Sequence, residues 1–390
     1  MNSKRLGFIS LAIALLATSV ATLGAQAAPQ DKSVYIVKFQ DNVSLGDEIS
    51  ATRRSGISVD FVLENVFKGF IGEMTAAQAN ALARNPRVQF VEANSEISAF
   101  ATVAQAKATW GLDRIDQRNS LNSTYVYDDQ LAGSGVDAYV IDTGIRLSHS
   151  EFTGRWRAGT STISDRRGTA DCNGHGTHVA GTIGGSTYGV AKKVTLIPVR
   201  VLNCQGSGTV DGIVKGIDWV INDHAIGKPA IANMSLGGGA STALDTATQR
   251  LIDDGVVTIV AAGNANVDAA NTSPAKVQAA ITVGATTNTD ARASYSNFGS
   301  ALDIFAPGSS IISAGIKSDS SIATMSGTSM AAPHVAGAAA IYLSQHRSST
   351  PLQVRTALVN VATAGVVATP GTGSPNLLLY TPLSFPAPQP

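Results

Sequence analysis

Three side chains that lie far apart in the chain supply the groups that acyl transfer needs. Ser329 follows Gly327-Thr328 at the start of an alanine-rich segment. This places its hydroxyl at the N-terminus of a predicted buried helix, where unpaired N–H groups and the helix dipole favour negative charge. His175 stands between two glycines, and Asp142 follows an apolar run. A hydroxyl, an imidazole and a carboxylate can act as nucleophile, base and orienting acid, so the sequence predicts nucleophilic catalysis.

Each of these residues also has an ordinary structural explanation. Serines at helix starts are commonly N-caps only, and an Asp before Thr-Gly also fits a turn. An unpaired carboxylate after a buried strand would cost several kcal/mol, so Asp142 is expected to have a partner. His178 is expected to be buried structure rather than a second base. The combination of three residues, rather than any one of them, favours catalysis.

The elements that must position these residues alternate between apolar strands and helices. Such alternation predicts an α/β fold with a mainly parallel central sheet covered on both faces. In such sheets functional residues gather at the carboxyl ends of the strands, where Asp142 lies. The predicted strands are 136–141, 194–201, 230–234 and 256–262, and the predicted helices are 175–185, 209–222 and 243–254.

The chain before residue 101 divides into two segments. Residues 1–27 combine basic residues, an apolar run and a small-residue cleavage site, which indicates a secretory signal peptide; a membrane anchor is the alternative. Residues 28–100 are expected to form a small separate α+β domain, and residues 98–108 a structureless processing linker. The expected elements of the small domain are strands at 34–39, 67–74 and 87–92 and a helix at 75–85.

The composition and net charge of the chain bear on which kinds of partner it could bind. The chain has 390 residues, 44% of them hydrophobic, and a net charge of zero. This balance does not indicate a nucleic-acid or membrane-surface partner. Beyond the signal peptide no stretch is long and apolar enough for a span, so no membrane association is expected after its cleavage. The proline-rich tail, residues 381–390, is expected to be a mobile end.

The two cysteines, Cys172 and Cys204, are expected to form a disulfide because the protein is exported to an oxidising compartment. In the loop-entropy model such a bridge contributes about 3 to 4 kcal/mol. Two free buried thiols and a shared metal are the alternatives, although a zinc site would need nearby histidines.

Several motifs together resemble the subtilisin-like serine proteases. Val140-Ile-Asp-Thr-Gly144, His175-Gly-Thr-His-Val-Ala-Gly181 and Gly327-Thr-Ser-Met-Ala-Ala-Pro-His-Val-Ala-Gly337 are similar to the three active-site signatures of that family, in the Asp, His, Ser order. Trp110-Gly-Leu-Asp-Arg-Ile-Asp-Gln117 and Asp171-Cys-Asn-Gly-His175 resemble its proteinase K branch, in particular the aqualysin-like secreted bacterial members. The resemblance implies a subtilisin-like three-layer catalytic domain over residues 101–380.

The same resemblance implies how the protein is made and what it does. Residues 28–100 resemble the inhibitor-type propeptide of the family, a ferredoxin-like domain that inhibits and chaperones its own enzyme until a cut at Phe100–Ala101. The implied product is a monomeric serine endopeptidase of broad specificity that acts on proteins and peptides. It would be secreted to the cell exterior, with passage through a periplasm as a possible route, and would need no cofactor for catalysis.

Position by position, the resemblance implies roles in the active site. Ser329 attacks the scissile carbonyl, His175 carries the proton, and Asp142 orients the ring. Asn264 and the Ser329 backbone N–H donate to the oxyanion. The implied substrate-binding residues are Gly206, Ser207 and Gly208, then Ser235, Leu236 and Gly237, as two edge segments that pair with extended substrate, and Ala261 and Gly263 in the pocket for the residue before the cut.

The resemblance also implies structural calcium at two places. Asp113, Asp116 and Gln117 are similar to one calcium site of the aqualysin branch, and oxygen ligands suit this ion. Asp303, with carbonyls near Gln278 and Ala280, is similar to a second site. For each aspartate a helix cap or a salt bridge is the alternative.

Two other classes of function are less well supported. A catalytically dead relative would be expected to lack one of the triad residues or the oxyanion asparagine, and all four are present. A lipase-like hydrolase would carry Gly-x-Ser-x-Gly around the nucleophile and a different order of triad residues, and Ser329 has neither.

Overall fold

A computed structural model describes residues 31–94, 102–119 and 121–388, and the chain divides into two compact units, Met1–Ser98 and Ala99–Pro390. The expected signal peptide and the expected cut at Phe100–Ala101 lie outside the described residues. The domain boundaries derived from them therefore stay predictions.

The first unit is a four-stranded antiparallel sheet with two helices. Its strands lie in the order β2-β3-β1-β4, which with the βαββαβ chain order is the ferredoxin-like topology. Its core is formed by side chains such as Val37, Phe39, Phe70 and Met74. The elements are β1 Lys32–Phe39, α1 Leu45–Arg54, β2 Phe61–Leu63, β3 Gly69–Thr75, α2 Ala76–Ala83 and β4 Val88–Ala93.

The predicted elements of this unit are confirmed to within a few residues, and two further elements, α1 and β2, were not predicted. Helix α2 begins at a reciprocal capping box between Thr75 and Gln78, which satisfies two backbone N–H groups. Helix α1 buries only Glu48, Ile49 and Thr52, so it has little apolar periodicity by which a helix could be recognised.

The second unit carries the three residues singled out from the sequence. Its helices are α3 Trp110–Ile115, α4 His175–Gly184, α5 Val210–Asp223, α6 Thr242–Asp253, α7 Thr328–Gln345 and α8 Pro351–Val361. Its strands are β5 Thr102–Ala106, β6 Thr124–Asp128, β7 Asp137–Asp142, β8 Thr160–Ser161, β9 Thr195–Arg200, β10 Ala230–Met234, β11 Gly238–Gly239, β12 Val257–Ala261, β13 Thr272–Ser273, β14 Ile281–Thr286, β15 Ile304–Pro307, β16 Ile311–Ala314, β17 Ile322–Met325, β18 Thr363–Ala364 and β19 Leu377–Leu378.

A nine-stranded sheet forms the centre of this unit. Its order is β18-β19-β15-β14-β12-β10-β7-β9-β8, and every neighbouring pair is parallel except β18 and β19. Alternate side chains of β7 enter two different cores. Ala138 and Val140 pack in the core that contains α4 and α7, whereas Tyr139 and Ile141 pack in the core that contains α5 and α6. The predicted three-layer α/β architecture is confirmed.

Helix α7 is almost entirely buried, as its alanine content predicts. Its closest approach to a neighbour is at Gly337, where a β-carbon would lie 2.5 Å from Val190 Cβ and 3.0 Å from the Ile183 carbonyl oxygen. Such a separation is too short for any side chain, so the glycine allows α7 to pack closely against α4 and the segment after it.

Two expectations about irregular segments are wrong. The expected linker at 98–108 contains strand β5, which is formed by antiparallel pairing with β6, and exposed and half-buried residues alternate along it as a result. Over the residues described, 381–388, the tail packs against the end of α7 instead of projecting freely. Phe385 is 3% exposed and packs edge-on against Tyr342, and its N–H donates to Gln345 Oε1. Burial of the Phe385 ring fixes this segment although its proline-rich composition had suggested mobility.

Across the described part of the chain, no helix combines the length and the apolar character that crossing a bilayer requires.

Candidate active site

Asp142 and His175 form a direct pair at the carboxyl end of the central sheet. Asp142 is the last residue of β7 and fully buried, and His175 is the first residue of α4. His175 Nδ1 lies 2.8 Å from Asp142 Oδ1 and 3.0 Å from Oδ2. Because a carboxylate only accepts, Nδ1 carries the proton and Nε2 is left as the basic nitrogen. The expected partner of Asp142 is therefore His175.

A glycine allows β7 and α4 to approach closely enough for this pair to form. A β-carbon on Gly176 would lie 2.2 Å from the Gly144 carbonyl oxygen and 3.1 Å from Thr143 Oγ1. Any side chain there would push the start of α4 away from the end of β7. The glycine after His175 is therefore required by packing as well as by access to the ring.

Opposing influences act on the basicity of His175. Burial alone would lower its pKa, but the charge of Asp142, their hydrogen bond and the charge of Asp171 together raise the pKa above its ordinary value. The side chain keeps 26% of its surface exposed, so a substrate can reach the ring.

Ser329 begins the first turn of α7, and its hydroxyl donates to the Ser235 carbonyl oxygen at 3.1 Å. In return Ser235 Oγ donates to the Ser329 carbonyl oxygen at 2.8 Å. That carbonyl is available because Pro333, four residues later, has no N–H to donate to it. Within residues 102–119 and 121–388, no hydrogen bond joins Ser329 to His175. The hydroxyl must therefore turn from Ser235 towards His175 before a proton can pass between them.

Asn264 and Ser329 place two N–H donors around one small space. The Asn264 side-chain oxygen accepts from the Thr328 N–H at 2.8 Å and from Thr328 Oγ1 at 3.0 Å, which fixes the orientation of the amide. A β-carbon on Gly327 would lie 3.4 Å from Asn264 Nδ2 and 3.6 Å from the Ser329 nitrogen. The space that a side chain at Gly327 would fill thus lies beside both donors that the sequence analysis assigned to the oxyanion.

Two open clefts meet at this site. One has a volume of about 360 Å³ and contains Ser329, Asn264 and both predicted pocket residues, Ala261 and Gly263. The other has a volume of about 490 Å³ and contains His175. Leu236 and Gly237 line both clefts, and the second also contains the remaining predicted edge residues Gly206, Ser207, Gly208 and Ser235.

Residues that the sequence analysis did not assign also belong to these clefts. Gly238, Gly239, Thr272 and Asn297 line the cleft of Ser329, and Thr143 and Asn173 line that of His175. The glycines continue the Ser-Leu-Gly motif and offered a weak signal. Thr272 and Asn297 are brought in only by tertiary folding.

His178 is buried structure, as expected. Its side chain is fully buried, and Nε2 donates to the Ile311 carbonyl oxygen at 2.9 Å. Burial lowers the pKa of His178 to about 4, and it does the same for His334, whose Nδ1 lies 2.8 Å from the Met330 carbonyl oxygen. Neither ring is placed to act as a second base.

Acid should destabilise the protein through these two buried histidines. The unfolded chain binds a proton at each ring near pH 6.5, whereas the folded protein binds none until about pH 4. The free energy of unfolding is therefore complete above about pH 6.5 and falls as the pH drops towards 4. We expect His178→Gln, in a Ser329→Ala background that prevents self-digestion, to reduce this slope in denaturant titrations. A slope equal to that of the parent background would contradict the assignment.

The first proposed calcium site has a donor set that fits a cation. Both Asp113 oxygens accept backbone N–H groups of Asn122 and Ser123, and Asp116 Oδ2 accepts from Val126. Asp116 Oδ1 is buried without a hydrogen-bond partner in the described part of the chain. Burial, together with the charge of Asp113, raises the pKa of Asp116 to about 6 although the Val126 N–H opposes this. A buried, unpaired carboxylate oxygen of this kind is suited to an ion.

The second proposed calcium site does not fit an ion. Asp303 Oδ1 is paired with the Arg355 guanidinium, through Nε at 2.7 Å and also through Nη2. Asp303 Oδ2 accepts the Thr282 N–H at 2.8 Å. Because a cationic side chain already neutralises this carboxylate, the salt-bridge alternative holds, and we do not carry forward calcium binding by Asp303 with the carbonyls of Gln278 and Ala280.

The predicted disulfide is confirmed. Cys172 and Cys204 are bonded, with their Cα atoms 5.0 Å apart. The bridge joins the segment before His175 to the segment before Gly206, so it connects two walls of the cleft that contains His175.

Comparisons with known proteins agree with this fold. The family model described as the Subtilase family matches residues 133–377. The chain is 57% identical over 328 residues to an extracellular serine proteinase of Thermus sp. (strain Rt41A), a match that covers 84% of this chain and 78% of the relative. It is 48% identical over 373 residues to alkaline serine exoprotease A of Vibrio alginolyticus, covering 91% and 69%.

A solved structure extends the comparison to three dimensions. The crystal structure of a cold adapted subtilisin-like serine proteinase superposes with a TM-score of 0.68 at 53% identity, covering 71% of this chain and 99% of that one. The fold and the site thus define a subtilisin-like α/β serine proteinase. The chain belongs to the Subtilase family and is a hydrolase that acts on peptide bonds.

Proposed function

We propose that Asp142, His175 and Ser329 form the catalytic triad of a secreted serine endopeptidase that is made as a self-processing zymogen. The observation that carries the proposal is the 2.8 Å contact between His175 Nδ1 and a fully buried Asp142 carboxylate. This contact leaves Nε2 free to accept a proton. Ser329 lies on the neighbouring cleft wall, beside the donors of Asn264 and its own backbone.

In the first half of the reaction Ser329 Oγ forms a bond to the scissile carbonyl carbon, while its proton passes to His175 Nε2. The carbonyl oxygen becomes an oxyanion between Asn264 Nδ2 and the Ser329 N–H, at the positive end of α7. When the C–N bond breaks, His175 returns the proton to the leaving amine, and an ester to Ser329 remains. Asp142 stays charged throughout and stabilises the imidazolium.

In the second half water replaces the amine. His175 Nε2 takes one proton from the water as its oxygen bonds to the ester carbon, and the same two donors hold the second oxyanion. Collapse breaks the bond to Ser329 Oγ, which recovers the proton from His175, and an acid product leaves. Atoms and charge balance, and no cofactor is needed for these steps.

Recognition of substrate is proposed to depend on backbone hydrogen bonds. Gly206–Gly208 and Ser235–Gly237 line opposite parts of the cleft that contains His175, and an extended peptide can pair with both. The pocket beside Ala261 and Gly263 carries no charged side chain among its described lining residues. Broad specificity for aliphatic and aromatic residues before the cut follows from this arrangement.

The remaining features of the proposal follow relatives that are named as extracellular enzymes. Residues 1–27 direct export, residues 28–100 inhibit and chaperone the enzyme, and the cut at Phe100–Ala101 releases it. The mature enzyme is proposed to act as a monomer on proteins and peptides.

Asn264→Ala should lower kcat by about 10²- to 10³-fold, the loss of one oxyanion donor as in subtilisin, with little change in KM. The donor contributes mainly when the oxyanion has formed, so ground-state binding is nearly unaffected. Steady-state kinetics on a chromogenic peptide measure both constants. A rise in KM with unchanged kcat would instead place Asn264 in substrate binding.

Calcium is proposed to stabilise the fold by binding to Asp113, Asp116 and Gln117, and to take no part in the catalytic reaction. Chelation should lower the thermal midpoint of the Ser329→Ala protein, since at a concentration 100 times the Kd an ion adds about 2.7 kcal/mol. Asp116→Asn should remove most of this calcium response. The control is Asp211→Asn, which removes a surface charge paired with Lys215 on α5 and should keep the response. Equal calcium responses in both variants would exclude this site.

A covalent probe tests the proposed nucleophile directly. A fluorophosphonate reagent, which reacts with activated serines, should modify the parent protein at Ser329 and leave Ser329→Ala unmodified. Peptide mapping by mass spectrometry identifies the labelled residue. Labelling of another serine in both proteins would overturn the assignment, even if hydrolysis of peptides were observed.

A further inference from the structure

We propose that Asp171 is a positioning residue for the proposed triad, whose carboxylate fastens the end of β7 to the start of α4 and places a second negative charge near His175. This inference rests on the proposed function of Asp142, His175 and Ser329. Asp171 takes no part in the bond-making and proton-transfer steps of the proposed reaction.

The Asp171 carboxylate accepts five hydrogen bonds. Oδ1 accepts from Thr143 Oγ1, the Asn173 N–H and the Gly174 N–H, each at 2.9 Å. Oδ2 accepts from the Thr177 N–H at 2.9 Å and from Thr177 Oγ1 at 2.6 Å. All five partners donate to the carboxylate, so both of its oxygens act as acceptors. Three of them are backbone N–H groups, those of Asn173 and Gly174 before His175 and that of Thr177 in the first turn of α4 after it.

Thr143 connects the Asp171 carboxylate to Asp142, the hydrogen-bond partner of His175. Its N–H donates to Asp142 Oδ1 at 2.7 Å, and its Oγ1 accepts the Gly176 N–H at 2.8 Å while donating to Asp171. The residue after Asp142 is thereby bonded to the residue after His175. This network holds the carboxylate and the ring at a set distance, and a displacement of about 1 Å at such a site can cost 100-fold in rate.

The segment that carries Asp171 is itself held in place. Cys172, the next residue, is bonded to Cys204. Asn173 Nδ2 donates to the Cys204 carbonyl oxygen at 3.1 Å. Asp171 is therefore anchored to the cleft wall rather than carried on a free loop.

The charge of Asp171 also acts on the base. Three titratable groups interact electrostatically with His175: Asp142 at the end of β7, Asp171 in the preceding loop and His178 on α4. Burial keeps His178 neutral near pH 7, since its pKa is lowered to about 4. The two carboxylates therefore provide the favourable charge, and removal of Asp171 should make His175 easier to deprotonate.

The experiment compares three variants of the processed enzyme, released where necessary by a trace of active parent. Asp171→Asn keeps the shape but removes the charge and the acceptor at one of the two oxygen positions. Thr143→Val keeps the charge and removes the bridging hydroxyl. Asp253→Asn is the control, because it removes the same charge from the exposed surface of α6. kcat and KM are measured from about pH 5 to 9, and the proton on His175 Nδ1 is followed by NMR in the same samples.

The acidic limb of kcat/KM reports the pKa of His175, because the protonated ring cannot act as a base. For Asp171→Asn we expect this limb to move to lower pH by about half a unit, with kcat lower by about tenfold and KM nearly unchanged. Thr143→Val should lower kcat without moving the limb, and Asp253→Asn should change neither.

An acidic limb for Asp171→Asn that coincides with that of the parent would overturn the electrostatic part of the inference. Parental kcat in Asp171→Asn and Thr143→Val would overturn the positioning part. If Asp171→Asn fails to fold, Thr143→Val still decides whether the bridge matters for kcat. If activity survives Ser329→Ala, the triad itself is wrong, and that result is distinct from a failure confined to Asp171.

Discussion

Replacement of Ser329 by alanine should abolish peptide hydrolysis and leave the protein as an uncut precursor. Loss of a triad serine costs about 10⁶-fold in kcat, as in subtilisin, because no other group can form the acyl intermediate. If maturation is self-catalysed, the same change must prevent the cut at Phe100–Ala101. Intact mass and N-terminal sequencing of the secreted protein, for the parent and for Ser329→Ala expressed identically, measure this outcome.

The parent should begin near Ala101, and the Ser329→Ala protein should keep the residues of the first unit. Ser344→Ala is a matched control, because Ser344 lies on the same helix and its hydroxyl donates to the carbonyls of Leu131 and Ile341, away from both clefts. That variant should be processed like the parent. Equal processing of the parent and Ser329→Ala would show that another protease makes the cut. The role of Ser329 in hydrolysis would then have to be tested with peptide substrates alone.

The central sheet could be predicted from the sequence because its strands are buried on both faces. Strands β7, β10 and β12 are buried at every residue, so each is a mainly apolar run, which favours a strand of a parallel sheet. The predicted end of β7 placed Asp142 at the carboxyl edge of the sheet. The glycines around His175 indicated that another group approaches the backbone closely there. Local patterns were sufficient for these features since burial and close approach restrict the choice of residue.

The rest of the site depends on contacts between residues distant in the chain, which no local pattern reveals. Asp303 resembles a calcium ligand in its own segment, but its partner Arg355 comes from α8, 52 residues later. Strand β5 exists because β6 pairs with it, and its small residues gave no strand signal. The motif containing Asp171 was visible, but its bond to Thr143 was not, because β7 and α4 meet only in the folded unit.

Pro333, a proline inside helix α7, affects how the backbone of Ser329 is held. A proline in the second turn of a helix leaves one carbonyl without its usual donor. In α7 this is the carbonyl of Ser329 itself, and Ser235 Oγ, which accepts from Asn233 Nδ2 at 2.9 Å, donates to it instead. The proposed nucleophile is thus anchored through its backbone to the segment proposed to bind substrate, and in this structure its hydroxyl donates to the same segment, at the Ser235 carbonyl oxygen.

Asp142→Asn should lower kcat by about 10⁴-fold while the fold is preserved, the size of effect seen when the acid of a serine protease triad is replaced. An amide presents a donor where Asp142 presents two acceptors, and its oxygen is still needed by the Thr143 N–H. With the amide oxygen kept at the Oδ1 position by that N–H, the amide nitrogen takes the Oδ2 position, 3.0 Å from His175 Nδ1. A donor this close to Nδ1 favours the tautomer in which Nδ1 is deprotonated and Nε2, the nitrogen that should accept the Ser329 proton, already carries one. Steady-state kinetics measure the loss in rate, and disappearance of the NMR signal of the Nδ1 proton measures the change of tautomer.

The matched control for this variant lies on the same strand. Asp137, at the opposite end of β7, pairs with Arg157 and Lys228 and has no part in the proposed chemistry. Asp137→Asn should lower the thermal midpoint, because Lys228 loses this ion pair and Arg157 keeps its pair with Asp223 but loses the one with Asp137, and should leave kcat near that of the parent. A kcat for Asp142→Asn within tenfold of the parent would contradict the proposed role of Asp142. The carboxylate would then serve mainly to hold β7 against α4, and the orientation of His175 would have to come from Asp171 and Thr143.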